Sequence, residues 1–420
     1  MRRGALILAL LVLGCAPKPA QSPVIPEHDA CRLADQPPGA PDTISVALLE
    51  PVDPDNAASP ANDSERLLFR NLYDNLVHLD CQHEVRPGLA GLWTPAPGGN
   101  GWVLTLREGA ELPSGIAMSA ADVRGKIKAL ATSDRATLRA LGIDSALALD
   151  AKRVQIVLRE GAGDSAPRLL ADPALAMTES VPPALGSEAG TIAISRRGNL
   201  PVIDFRFLLQ RDPRDALDRD IDLVVTRDPL LVEYASSRSD FRVHPLPWSR
   251  TYALLEPENQ AGGLAGSLDL TEIKSSLAKD VVRAGARAAE PPDWWSALGA
   301  CPAGSPRPTA SPSSRVAYHQ DDDVARALAE RAVALAPTSA GLRAVGLDAE
   351  AFAAAVRDGA DRGYIVGLPR ESLAPCRDRP LWPEGARLVP LIDTRGWAIV
   401  RKGAPPLTVE WDGTVRVVTP

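Results

Sequence analysis

Seven prolines fall among the 26 residues from Ala16 to Pro41, at Pro17, Pro19, Pro23, Pro26, Pro37, Pro38 and Pro41. A chain so interrupted forms neither a helix nor a central strand, because each proline fixes φ and removes a backbone donor. The segment reads as a semi-rigid tether, and the folded body is expected to begin at about residue 42. Ahead of the tether, Arg2 and Arg3 lead into an apolar run from Ala5 to Leu13. That run is too short for a membrane span of about 20 residues but suits the h-region of a secretory signal, assigned to residues 1–14.

The run closes as Val12-Leu13-Gly14-Cys15, which resembles the lipobox of bacterial lipoproteins. Cys15 is then the lipidated mature N-terminus, and the chain is placed in the bacterial cell envelope, on the periplasmic side or the cell surface. Of the five cysteines, Cys31, Cys81, Cys301 and Cys376 remain. An even number in an exported chain implies disulfides; three pairings are possible, and sequence neighbourhood favours Cys31 with Cys81 and Cys301 with Cys376. His78, Cys81 and His83 lack a second ligand group at metal spacing, so no metal and no cofactor is implied. The charge sum of −7 over 420 residues gives no electrostatic case for nucleic acid.

Beyond the tether, Thr43 to Leu49 reads as a strand, and Asn62 caps a helix with an apolar face that includes Leu67, Leu68 and Leu72. Strands are predicted at Trp102–Leu106, Arg153–Arg159, Thr191–Ser195, Val202–Leu208, Ile221–Thr226 and Thr251–Leu255, with a helix opening at Ser119. The pattern turns helical from Gly262 and is broken by a Pro-rich loop from Pro302 to Pro312. Asp321, Asp322 and Asp323 suit a helix N-terminus, where carboxylates complement the dipole; another helix follows Asp348 and stops at Gly359. Tyr364–Leu368, Arg387–Ile392, Trp397–Val400 and Thr414–Val418 complete the β-rich segments.

The order of motifs resembles a known family. Thr43-Ile-Ser-Val-Ala47, Ser64-Glu65-Arg66, Asn71-Leu-Tyr73-Asp74-Asn75-Leu76-Val77, Pro87-Gly88-Leu89-Ala90, Trp102-Val-Leu-Thr-Leu-Arg107-Glu-Gly109-Ala110 and Ser119-Ala-Ala-Asp122-Val123 are similar to stretches of the family 5 extracellular solute-binding proteins. These are the oligopeptide, dipeptide and nickel receptors of ABC importers. The resemblance is strongest over residues 42–130 and extends through Asp220-Ile-Asp222-Leu223 and Arg315 to Leu368.

The likeness implies an α/β, periplasmic-binding-protein-like fold of two lobes with an inserted subdomain in the first lobe. The base lobe would take residues 42–55, 190–260 and 396–420, the insert 56–189, and the second lobe 261–395, reached through two crossing strands. A peptide-like or other small solute would be held in the interlobe cleft and handed to an ABC permease, the body being moored to the membrane by its N-terminal lipid. The Trp-x-x-Asp-Tyr type stretch of the family's second lobe is absent, so peptide specificity does not carry over. Ligand contacts are instead assigned to Trp248, Arg250 and Tyr252 on a crossing strand and to Trp294 and Trp295 in the second lobe. The tryptophan pair is open to two readings, a stacking wall or the packing of a lobe interface.

Two rivals stand beside capture. Ser276-Leu-Ala-Lys279 has the Ser-x-x-Lys spacing of acyl-transferring enzymes, but no Lys-Thr-Gly or Ser-Asp-Asn partner follows, and no other catalytic signature is present. The expectation is therefore no enzyme. The shortened second lobe also admits a degenerate member that serves as an envelope scaffold or sensor partner.

Overall fold

A computed structural model of the chain describes residues 31–34, 43–160, 166–178, 191–194, 201–209, 212–256, 285–301, 313–337, 341–379 and 386–418. Cys15, the helical pattern after Gly262, the Ser276–Lys279 pair and the Pro302–Pro312 segment lie outside these residues.

Thr43–Leu48 is buried at five of its six positions, as a strand covered on both faces must be. It pairs in parallel with Val202–Phe207 on one side and Leu223–Thr226 on the other. Parallel neighbours need a crossover, and the chain between residues 48 and 202 supplies it as a whole subdomain. Its centre is a four-stranded antiparallel sheet in the order Ala90–Pro95, Gly101–Leu106, Arg153–Leu158, Ile143–Ala148. One face of that sheet packs Leu104, Val154 and Ile156 against Val123, Ile127 and Leu130 of the Ala120–Ser133 helix. Gly101 has φ of 124°, and a Cβ there would lie 2.0 Å from the Ile156 carbonyl oxygen, so no side chain fits where these strands meet.

Among the described residues, ten strands share the main sheet. Its path runs Arg343–Leu347, Ser313–His319, Asp361–Pro369, Phe241–Glu256, Arg387–Arg401, Leu223–Thr226, Thr43–Leu48, Val202–Phe207, Thr191–Ile194, with Ala286–Ala288 against Arg387–Arg401. The two long strands, of 16 and 15 residues, hold the sheet together. Phe241 to Trp248 lies beside Arg395–Arg401 in the half that contains Thr43–Leu48. Arg250 to Glu256 lies between Arg387–Thr394 and Asp361–Pro369 in the other half. They are the crossing strands. The expected strand at Thr251–Leu255 is the far end of one, and Arg387–Ile392 and Trp397–Val400 are the two ends of the other.

The second half is a parallel arrangement in which helices Asp323–Leu335 and Ala349–Asp358 connect Ser313–His319, Arg343–Leu347 and Asp361–Pro369. Asp322 accepts from the Ala325 amide at 2.9 Å as an N-cap, and Gly359 ends the later helix with φ of 59°.

One expectation is corrected. The tether does not run uninterrupted to Pro41: Arg32–Ala34 is a strand paired with Leu407–Val409, which pairs in turn with Val415–Val417. The ten residues between Pro26 and Pro37 contain no proline, which frees their amides for a ladder. Cys31 is bonded to Cys81 and Cys301 to Cys376.

Candidate functional site

Where the crossing strands pass from one half to the other, their register shifts between Pro245 and Trp248, between Trp248 and Arg250, and between Tyr252 and Ala253. Bulges of this kind bend a strand and re-aim its side chains. A cavity of about 390 Å³ lies there. Trp248, Ser249 and Arg250 line it from the crossing strand, Ser59, Pro60, Ala61 and Arg66 from the first half, and Asp172 and Pro173 from the end of the insert. Gly367, Leu368, Pro369, Glu371, Leu373 and Arg377 line it from the second half, and Trp411 and Asp412 from the C-terminal turn. Its size falls in the range of small-molecule sites, and five separate parts of the chain converge on it.

Arg250 sits opposite Pro369 and Thr394 in the sheet. Its nearest carboxylate oxygen among the described residues is Asp322 Oδ2, 3.8 Å from Nη1. Gly367 makes room for it: a Cβ there would lie 3.2 Å from Arg250 Cδ and 3.1 Å from Tyr252 Cε1. Trp248 has two guanidinium groups over its ring, Arg287 at 4.5 Å and Arg395 at 4.6 Å from the centroid, and Arg395 also lies 4.8 Å from the Trp397 centroid. This ladder fixes the indole where the halves meet.

Tyr252 is not part of the cavity wall. It is buried in the apolar cluster of the second half with Val316, Leu328 and Ile365, and its hydroxyl donates to Asp322 at 3.1 Å. Burial, with Asp322 adding to it, pushes the phenol up to about 12 against the pull of Arg250, so it stays a donor. Trp294 and Trp295 also lie outside the wall. Trp294 packs with Leu255, Tyr364 and Leu368, and its indole N–H donates to the Arg370 carbonyl at 3.2 Å. Trp295 meets it edge-on with centroids 6.2 Å apart. Their surroundings are those of packing residues. Ser276 to Lys279 lies outside the described residues.

Several wall residues carried no signal in the sequence. Arg377 donates to Asp172 at 2.5 Å, so an ion pair links the second half to the insert along the cavity. Next to it, Ala374 is fully buried in the core of the insert and Leu373 packs against that core. Trp411 belongs to the same core, although it lies more than 220 residues beyond the insert in sequence.

Behind Trp411 lies a buried ionic cluster. Glu410 is paired with Arg70, and its other oxygen lies 3.2 Å from His78 Nδ1 and 3.5 Å from Arg416 Nε. Arg416 is paired in turn with Asp74. Burial alone would raise Glu410, but Arg70 and Arg416 outweigh it and hold the carboxyl well below the usual range. Asp63 behaves alike, its burial overcome by Arg227 and Arg66. His78 is shifted down by burial and by Arg416, against the opposing pull of Glu410 and Asp74.

Cys81 is consumed by its disulfide, and among the described residues no group of three or more His, Cys, Asp or Glu is arranged to hold a metal. Nor is any described helix long and apolar enough to cross a membrane.

No family model matches the sequence, and no curated protein matches it by sequence. The comparison by structure decides the fold. The dipeptide binding protein of Pseudoalteromonas sp. SM9913, solved with Met-Leu, aligns over 89% of this chain and 98% of its own at TM-score 0.63 and 12% identity. NikA of Staphylococcus aureus, solved with Ni(L-His)2, aligns over 90% and 98% at TM-score 0.62 and 11% identity. The ABC transporter substrate binding protein CtaP of Listeria monocytogenes aligns over 86% and 94% at TM-score 0.58 and 12% identity. This is a periplasmic-binding-protein fold. Two of the three are named as binding proteins, and the third was solved with Ni(L-His)2. In the periplasmic-binding-protein fold of this chain, the cavity at the crossing strands is the place where two halves and an insert meet around one space.

Proposed function

We propose that this chain is a lipid-anchored substrate-binding protein of an ABC transporter. It captures a peptide-like or other small solute in the cavity at the crossing strands and delivers it to a permease. The base lobe would take residues 42–55, 190–260 and 396–420, the insert 56–189 and the second lobe 261–395, with Cys15 as the lipid site. The observation that carries the reading is the cavity itself: a space of about 390 Å³ at the point where two continuous strands change register. A rotation of one half about those bulges would open or shut it. Trp248 and Arg250 are the two sequence-assigned contacts that line this space, and they act here as ligand contacts. Tyr252 acts from behind, by holding Asp322 beside Arg250.

Binding to the native state stabilises by RT ln(1 + [L]/Kd), about 2.7 kcal/mol at a hundredfold excess over Kd. A melting screen of peptides, nickel complexes and sugars is therefore expected to return at least one class that raises Tm, and the shift should fall in Trp248→Ala. No shift with any class would instead favour an envelope scaffold or sensor partner that keeps the fold and has lost the guest.

A further inference from the structure

On the reading that a solute is captured in this cavity, we propose that the solute is an organic anion and that Arg250 is the group that receives its charge. Seven ionisable side chains line the cavity: Arg66, Arg250 and Arg377 against Asp172, Glu371, Asp378 and Asp412. All but two of them are committed within the protein. Arg377 is paired with Asp172 at 2.5 Å and with Asp378 at 3.0 Å. Arg66 donates to Asp63 at 3.0 Å, and Asp412 accepts from the Thr414 amide at 3.0 Å. Glu371 is exposed at the margin, where water solvates it. Arg250 is the other exception in one respect: Asp322 comes no closer than 3.8 Å and Tyr252 lies beside it, so no carboxylate takes its donors at hydrogen-bond distance, and its side chain is three-quarters covered, with an exposure of 24%.

The carboxylates around Arg250 are already engaged. Asp322 spends Oδ1 on the Ala325 amide at 2.9 Å as a helix cap and receives the Tyr252 hydroxyl on both oxygens at 3.1 Å. Asp63 takes Arg227 at 2.7 Å and Arg66 at 3.0 Å. Glu50 accepts from the Ser64 amide at 3.0 Å. A guanidinium carries five donors in a rigid fork that matches a carboxylate or a phosphate, and here no carboxylate approaches within 3.8 Å. Tyr252, Asp63 and Asp322 keep the buried guanidinium charged, yet no carboxylate occupies its donors at hydrogen-bond distance, and a bound anion would take them up. The rest of the wall offers Trp248, Trp411, Leu368 and several prolines to an apolar body. A guest with a compact anionic head and an apolar or aromatic remainder fits this description.

The test uses one ring with four heads: phenylacetate, phenyl phosphate, phenylacetamide and phenethylamine, measured by calorimetry on the lipid-free full-length body and on Arg250→Gln, Arg250→Lys and Arg66→Gln. The expected result is that one or both anions bind and the amide and the amine do not compete. The anion affinity should fall roughly ten- to hundredfold in Arg250→Gln, the scale of a lost hydrogen bond to a charged group. It should fall less in Arg250→Lys, and least in Arg66→Gln, whose cation is already paired. The two anions separate carboxylate from phosphate recognition. Unchanged melting of the unliganded variants shows that loss of affinity is not loss of fold. Tighter binding of phenethylamine, anion binding that Arg250→Gln leaves intact, or no binding of either anion overturns the inference. A cationic or neutral hit would still leave capture standing, whereas an empty result here and in the broader melting screen removes both.

Discussion

Glu410 shows how much of this protein's stability rests on single buried charges. Its carboxylate faces Arg70, Arg416 and His78 with almost no solvent. Removing one member of a buried pair leaves the other uncompensated, so Glu410→Gln is expected to cost about 3–5 kcal/mol in urea unfolding at neutral pH. The pH dependence follows in sign. Glu410 and Asp63 titrate in the folded state below the value near 4 of an unfolded carboxyl. Their stabilisation is therefore full above about pH 4 and is lost as pH falls below it. His78 adds loss earlier: its folded value is depressed below the usual 6.5 or so, so the unfolded chain takes up that proton first as pH drops. Urea midpoints from pH 7 to 3 should decline in two stages, and His78→Gln should remove the earlier one. A profile flat to pH 4 in the native chain would contradict this assignment.

At the level of elements, the crossing strands set both the site and the limits of sequence reading. Gly367 faces Tyr252 in the ladder, where a Cβ would press on Tyr252 Cε1 at 3.1 Å and Arg250 Cδ at 3.2 Å. Gly367→Val is expected to displace Arg250 and weaken ligand binding more than it lowers Tm, which paired calorimetry and melting would show. The Asn62 side chain accepts from the Glu65 amide at 2.8 Å, and Asn62→Ala should cost roughly 1 kcal/mol by denaturant titration. Caps of this sort were legible because they are local: Asn62, Asp348 and Gly359 sit where the sequence placed helix ends. The long strands were only half legible. Pro245 and Pro247 argue against a strand, yet both lie within Phe241–Glu256, where the register shift accommodates them. Pro390 and the polar run Asp393-Thr394-Arg395 divide Arg387–Arg401 in the same way. Asp393 is tolerated mid-strand because Thr251 donates to it at 2.7 Å and Arg287 at 3.0 Å, partners that the chain supplies from far away. Trp248 and Arg250 were legible as an aromatic and a charge on a predicted crossing strand. Trp411, Asp172 and Arg377 were not, since only the tertiary fold brings residues 172, 377 and 411 to one cavity.

For the whole molecule, the link between Arg377 and Asp172 is one contact, beside the packing of Leu373 and Ala374, that a moving second lobe would have to break. Arg377→Ala is expected to raise the radius of gyration measured by X-ray scattering and to speed ligand release, with the on-rate changed less. An unchanged scattering profile and release rate would show the two sides to be held by other contacts. The pairing of Arg32–Ala34 with Leu407–Val409 has a separate consequence, for the time course of assembly. The first strand of the body waits for a partner some 375 residues later, and Thr43–Leu48 waits for Val202–Phe207. Contacts so distant along the chain make for slow folding. A polypeptide threaded out of the cytoplasm from its N-terminus would thus hold its opening segment unpaired until nearly the last residue has emerged, and throughout that interval it would be open to proteases and in need of a chaperone's shelter.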